Sequence, residues 1–161
     1  MSPAKRNTNE RCGDSALPLT TAPLLWHEIR RIGSHPDNAS RVIGSLLEKL
    51  QELDWVEKDI FSIHMAMEEA IINAIRHGNC CCQEKTVEIE IKIYRDQFFA
   101  RITDQGTGFD PSAVPDPTLD ENLDSTSGRG VKLIQSFMDR AAYNQTGNSV
   151  ELIKQRLIEK E

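Results

Sequence analysis

The sequence lacks any run of about 18 apolar residues, the minimum length for a helix that spans a membrane. The segment Met1–Asp14 is polar and contains no apolar signal core. There is no cluster of Lys and Arg, and the formal net charge is -6, so neither DNA nor RNA is expected as the main ligand. These absences predict a soluble cytoplasmic protein with one packed core and no membrane contact.

Two kinds of ligand-binding pattern are also missing. The four cysteines are Cys12 and the consecutive Cys80, Cys81 and Cys82, without the C-x-x-C spacing of a zinc site. Neighbouring cysteines do not readily form an ordinary disulfide, so the row predicts a reduced loop. There is no G-K-[ST] of a Walker A loop and no G-x-G-x-x-G dinucleotide fingerprint, which excludes both common phosphate-loop types.

The apolar pattern that is present predicts helices on one face of a mixed, largely antiparallel sheet. The predicted fold class is therefore α/β, in the form of an α+β two-layer sandwich. Helices are predicted at 37–53, 56–77 and 131–139 and strands at 24–32, 87–94, 98–103, 141–144 and 149–155.

Capping residues, helix stops and changes in composition predict where these elements and the domain begin and end. Either Asp37 or Ser34 is expected to cap the first helix, and Gly78 and Asn79 are expected to end the second. Residues 1–20 are predicted to be a flexible extension of a domain at 21–161. Residues 111–127, rich in Pro, Asp, Ser and Thr, are predicted to form a lid or binding loop.

The second predicted helix carries Glu69, Asn73 and His77 at four-residue intervals, which predicts one polar line along its surface. An Asn carbonyl oxygen suits Mg2+, and a carboxylate one turn away can accept a proton from a hydroxyl or water. Glu68 is rotated by about 100° from Glu69 and is expected to point elsewhere.

Two glycine-containing segments add candidate ligand contacts. Asp104 ends a predicted strand, where it could accept a hydrogen bond from an amino group such as that of adenine. Gly106 and Gly108 would then let the backbone approach the ligand. Further along, Gly128–Gly130 leads into a helix, whose first N–H groups form a natural phosphate site.

The order of these elements resembles the Bergerat, or GHKL, ATP-binding fold. The segment MEEAIINAIRHGN, from Met67 to Asn79, resembles its N-box, and DQGTGF, from Asp104, resembles its first glycine box. GRGVKLIQSFMD, from Gly128, resembles the second glycine box. Across about residues 20 to 157, the chain looks most like anti-sigma factor serine/threonine kinases of the RsbW type.

That resemblance implies a role for each matching residue. Glu69 corresponds to the catalytic base, Asn73 to the Mg2+ ligand and Asp104 to the residue that recognises the adenine amino group. The other implied nucleotide contacts are His77, Gly106, Gly108, Gly128, Arg129 and Gly130.

The resemblance also implies an activity. The expected enzyme transfers the γ-phosphate of ATP, with Mg2+, to a Ser or Thr of a STAS-type anti-sigma factor antagonist. It is also expected to sequester a sigma factor as a homodimer in a partner-switching system. The alternative is a nucleotide-dependent binding module with little kinase activity and a partner other than a sigma factor. The presence of Glu69 favours the enzyme.

Overall fold

The computed structural model describes residues 19–108 and 129–158. The predicted lid at 111–127, Gly128 and most of the predicted N-terminal extension lie outside these ranges. None of the helices in the described part of the chain has the length and apolar character that crossing a membrane requires. The described elements follow the order β1 (Leu24–Gly33), α1 (Pro36–Glu52), α2 (Glu57–Asn73), a π-helical turn (Ala74–Gly78), β2 (Thr86–Tyr94), β3 (Gln97–Thr103), α3 (Arg129–Phe137), β4 (Arg140–Tyr143) and β5 (Ser149–Gln155).

The five strands form one sheet in the order β1-β2-β3-β5-β4. Every neighbouring pair within the described residues is antiparallel, so the sheet contains none of the parallel pairing that a mixed sheet would have. Short turns explain two of these pairs, because β2–β3 and β4–β5 are hairpins. The predicted α+β two-layer architecture is confirmed.

The core lies between one face of the sheet and the helices. Val87, Ile89, Ile91 and Ile93 alternate along β2 and are buried. They pack in one cluster with apolar side chains of α1 and α2, among them Leu46, Leu50, Ile63, Met67 and Ile71. Burying a side chain of this size stabilises the folded state by about 1.5–3 kcal/mol, so this alternation fixes which sheet face meets the helices.

The start of α1 differs from the prediction. His35 is the N-cap, and its Nδ1 accepts the Asp37 N–H at 3.2 Å. Pro36 follows as the first helical residue, where its missing N–H costs nothing. Ser34 is occupied elsewhere, because its hydroxyl donates to the Lys85 carbonyl at 2.7 Å. The predicted caps, Asp37 and Ser34, were therefore wrong.

The last turn of the second helix differs in type from the prediction. Regular α-helix stops at Asn73, and Ala74–Gly78 forms a π-helical turn closed by a 2.8 Å bond from the Asn79 N–H to the Ala74 carbonyl. A π turn holds more residues than an α turn, which rotates the following side chains out of register. His77, which lies on this turn, is exposed, whereas Glu69 and Asn73 are partly buried. The predicted helical extent to His77, ended by Gly78 and Asn79, agrees with the structure. The predicted continuous polar line does not extend to His77, because the last turn is π-helical.

Candidate functional site

The first turn of α3 lies directly against the polar residues of α2. A Cβ atom on Gly130 would overlap Oε1 of Glu69 and would lie 2.8 Å from Nδ2 of Asn73. Only a residue without a side chain leaves room for both polar groups here. The structure thus brings three predicted site residues together: Glu69, Asn73 and Gly130.

Asp104 follows β3 directly and is buried, with 8% of its surface exposed. Its Oδ1 accepts the Gly106 N–H at 2.8 Å, and Oδ2 has no donor among the described residues. Burial raises the pKa of the Asp104 carboxyl above its usual range, although the Gly106 hydrogen bond and the charge of Lys85 oppose the shift. A buried acceptor with a free oxygen suits a ligand that donates an N–H.

Asn79 holds the turn that follows Asp104. Its side chain is fully buried, and its Oδ1 accepts the Gln105 N–H at 2.8 Å. Its Nδ2 donates to the Ser34 hydroxyl and to the Thr86 carbonyl, each at 2.9 Å. From the sequence, Asn79 was expected only to end the second helix and to complete the segment that resembles the N-box. Its three buried hydrogen bonds were not predicted.

Gly106 and Gly108 were predicted to let the backbone approach a ligand, but the described structure gives each a contact within the protein. A Cβ on Gly106 would overlap the Gly78 carbonyl oxygen. Gly108 has a φ of 77°, and a Cβ there would overlap the Thr146 carbonyl oxygen. Both glycines therefore allow backbone segments to pack closely, which fixes the loop that carries Asp104.

Tyr143, at the end of β4, is a further residue near Glu69. Its ring packs against the main core. Burial and then the charge of Glu69 raise the pKa of Tyr143 to about 12, so its hydroxyl stays protonated at neutral pH. Sequence reasoning did not identify Tyr143 as a residue within the electrostatic influence of Glu69.

The other predicted site residues are His77, Arg129 and Gly128. His77 is exposed on the π turn, and Arg129 is exposed at the start of α3. Gly128 lies outside the described residues. Within the described part of the chain, no three His, Cys, Asp or Glu side chains are placed to hold a metal ion. A divalent ion beside Asn73 would therefore need oxygens from a bound phosphate as well.

Residues 32–154 match the model of the histidine kinase-like ATPase domain family, and this range includes Glu69, Asn73, Asp104 and Gly130. The chain belongs to this family. Membership implies ATP binding, and the predicted likeness to the GHKL group is confirmed.

Relatives of this histidine kinase-like ATPase domain include the anti-sigma F factor of Clostridium perfringens, 28% identical over 115 residues, which are 66% of this chain and 79% of the relative. The serine-protein kinase RsbW of Listeria monocytogenes is 29% identical over 102 residues, 59% of this chain and 65% of that one.

A solved structure has the same fold. The chain is similar to the RsbU and RsbW domains of Rv1364c from Mycobacterium tuberculosis, with a TM-score of 0.55 and 15% identity. The match covers 81% of this chain and 33% of that one, and at this identity it bears on the fold alone.

The glycine contacts predict opposite results for two substitutions. Gly130→Ala meets the movable ends of Glu69 and Asn73, so we expect the fold to persist while affinity for ATP falls about tenfold. Gly106→Ala meets the backbone at Gly78, which cannot yield as easily, so we expect unfolding free energy to fall by about 1–3 kcal/mol. Urea unfolding and titration calorimetry measure the two effects. Equal destabilisation of both variants would contradict this assignment.

Burial of Asp104 predicts a change in stability with pH. Because its pKa is raised in the folded protein, the ionised carboxylate destabilises the fold once the pH rises through that pKa. Asp104→Asn removes this charge, so we expect a melting temperature a few degrees higher than wild type at about pH 7.5, and no such gain at about pH 3. Thermal unfolding across this range measures the difference. A variant that is less stable at the higher pH would contradict the prediction.

Proposed function

We propose that the domain binds Mg-ATP and transfers its γ-phosphoryl group to a Ser or Thr of a STAS-type anti-sigma factor antagonist. The observation that carries the proposal is the contact of Gly130 with both Glu69 and Asn73. This contact places a potential base, Glu69, and a potential metal ligand, Asn73, next to the first described turn of α3. Phosphoryl transfer depends mainly on positioning and charge neutralisation, which such a site can provide.

Asp104 and the start of α3 define the two ends of the proposed nucleotide. The Asp104 carboxylate, held by Gly106, would accept the adenine amino group. The N–H groups in the first described turn of α3 would donate to phosphate oxygens, as those at a helix start can. Gly128 is assigned to the same phosphate loop, and residues 111–127 to the lid, on the resemblance alone.

Asn73 and Glu69 have separate proposed roles near the phosphates of the nucleotide. Asn73 would supply a carbonyl oxygen to Mg2+, which when bound neutralises charge on the phosphates. Glu69 would orient the acceptor hydroxyl and take its proton.

The regulatory part of the proposal rests on the relatives. One relative is named an anti-sigma factor and another a serine-protein kinase, and they match 66% and 59% of this chain. We therefore extend the proposal to a cytoplasmic homodimer that sequesters a sigma factor until the unphosphorylated antagonist displaces it. The proposed domain runs from 21 to 161. Thr20, in the proposed extension, already bonds to Gln97 and to Asp96.

Neighbouring glutamates provide a matched test of the kinase. Glu69→Gln should reduce phosphoryl transfer to a STAS-domain acceptor by about 10²–10⁴-fold while ATP still binds, because the base alone is lost. Glu68→Gln is the control, since the Glu68 side chain is 57% exposed and lies near His64 instead. Labelled ATP with the candidate acceptors measures transfer, and calorimetry measures binding.

Three outcomes separate the alternatives. Loss of transfer in Glu69→Gln but not in Glu68→Gln supports the kinase. Tight ATP binding by wild type without transfer to any candidate acceptor would favour a nucleotide-dependent binding module. No ATP binding by wild type would contradict the proposal as a whole.

A further inference from the structure

The turn after the π-helical segment presents two exposed thiols in an unusual backbone conformation. Cys80 and Cys81 are both exposed and unoxidised, and Cys82 is half-buried. The φ angles of Cys80 and Cys81 are 51° and 55°, in the left-handed region that residues with a side chain seldom occupy. Two consecutive residues in this region mark a turn that the surrounding structure must hold in place.

Main-chain hydrogen bonds tie this turn to the candidate site. The Cys81 N–H donates to the Ile75 carbonyl, and the Cys82 N–H donates to the Asn79 carbonyl, both at 2.9 Å. The Cys80 thiol lies 3.7 Å from the His77 carbonyl. Asn79 in turn accepts the Gln105 N–H, next to Asp104. An unbroken chain of contacts therefore runs from the thiols to the proposed adenine-binding carboxylate.

We propose that Cys80 and Cys81 form a thiol-modification site through which a low-molecular-weight disulfide weakens ATP binding. This inference rests on the proposed nucleotide function. The reaction is thiol–disulfide exchange. A Cys thiolate attacks one sulfur of the disulfide, the old S–S bond breaks, and a mixed disulfide forms. The other half leaves as a thiolate and takes up the proton that the cysteine lost.

Both the position and the charge of an adduct on Cys80 would lower the affinity for the nucleotide. A group attached to Cys80 would displace its sulfur from the His77 carbonyl, on the turn where Gly78 packs against the Asp104 carboxylate. An adduct such as glutathione also carries net negative charge. It would repel the anionic nucleotide at short range and disturb the turn that positions Asn79.

Oxidised glutathione is the probe, and Cys12→Ser is the parent chain, so that Cys80–Cys82 supply all of its thiols. We expect intact mass and peptide mapping to show adducts at Cys80 or Cys81. Calorimetry should show that the Kd for Mg-ATP rises about tenfold, and dithiothreitol should restore it. The matched control adds Cys80→Ser and Cys81→Ser to the parent, and its Kd should not respond to glutathione.

The outcomes distinguish this inference from the function on which it rests. If the reduced parent does not bind ATP, both proposals are overturned. If it binds ATP, but the adduct binds equally well or forms only at Cys82, this inference alone is overturned. An adduct whose circular dichroism shows unfolding would also overturn it, because the expected effect is a loss of affinity in a folded protein.

Discussion

The buried amide of Asn79 is the interaction on which the arrangement of the candidate site depends. Its two ends connect Ser34, which directly follows β1, the first residue of β2 and the turn after β3, with each of three bonds at 2.8 or 2.9 Å. An amide buried without such partners would cost about 1–3 kcal/mol, whereas a satisfied one specifies a single arrangement of the segments it joins. Asp104 is thereby held beside Gly78, at the end of the helix that carries Asn73.

The fold supplies this site with one rigid element and several loops. Along α2, Ile63, Met67 and Ile71 are fully buried in the core, and this burial fixes the direction in which Glu69 and Asn73 point. The start of α3 then meets the side chains of Glu69 and Asn73, and Gly106 in the loop after β3 meets the carbonyl of Gly78 in the π-helical turn. Functional residues held on loops around a packed scaffold are a common arrangement for binding sites. Here glycines, rather than matched side chains, make the close approach possible.

Periodic patterns predicted most of the fold, because alternation in β2 and helical spacing in α1 directly reflect burial. Contacts between distant segments were not predictable in this way. The buried bonds of Asn79 to Ser34 and Gln105 join segments far apart along the chain. The cap by His35 and the π turn after Asn73 are local, but apolar spacing carries no signal of either. The sequence also identified Gly106 as a point of close backbone approach, but it did not show that the Gly78 carbonyl is a neighbour there. The predicted ligand contact of Gly106 stays a prediction.

Hydrogen exchange with and without Mg-ATP, read by mass spectrometry, tests most directly whether the separate segments form one nucleotide site. The account predicts slower exchange on ATP addition in three places together: the end of α2 with its π turn, residues 104–108, and the first turn of α3. Exchange in β1, at the far edge of the sheet, should not change. Protection that is absent from these three segments, or that appears mainly in β1, would contradict the account.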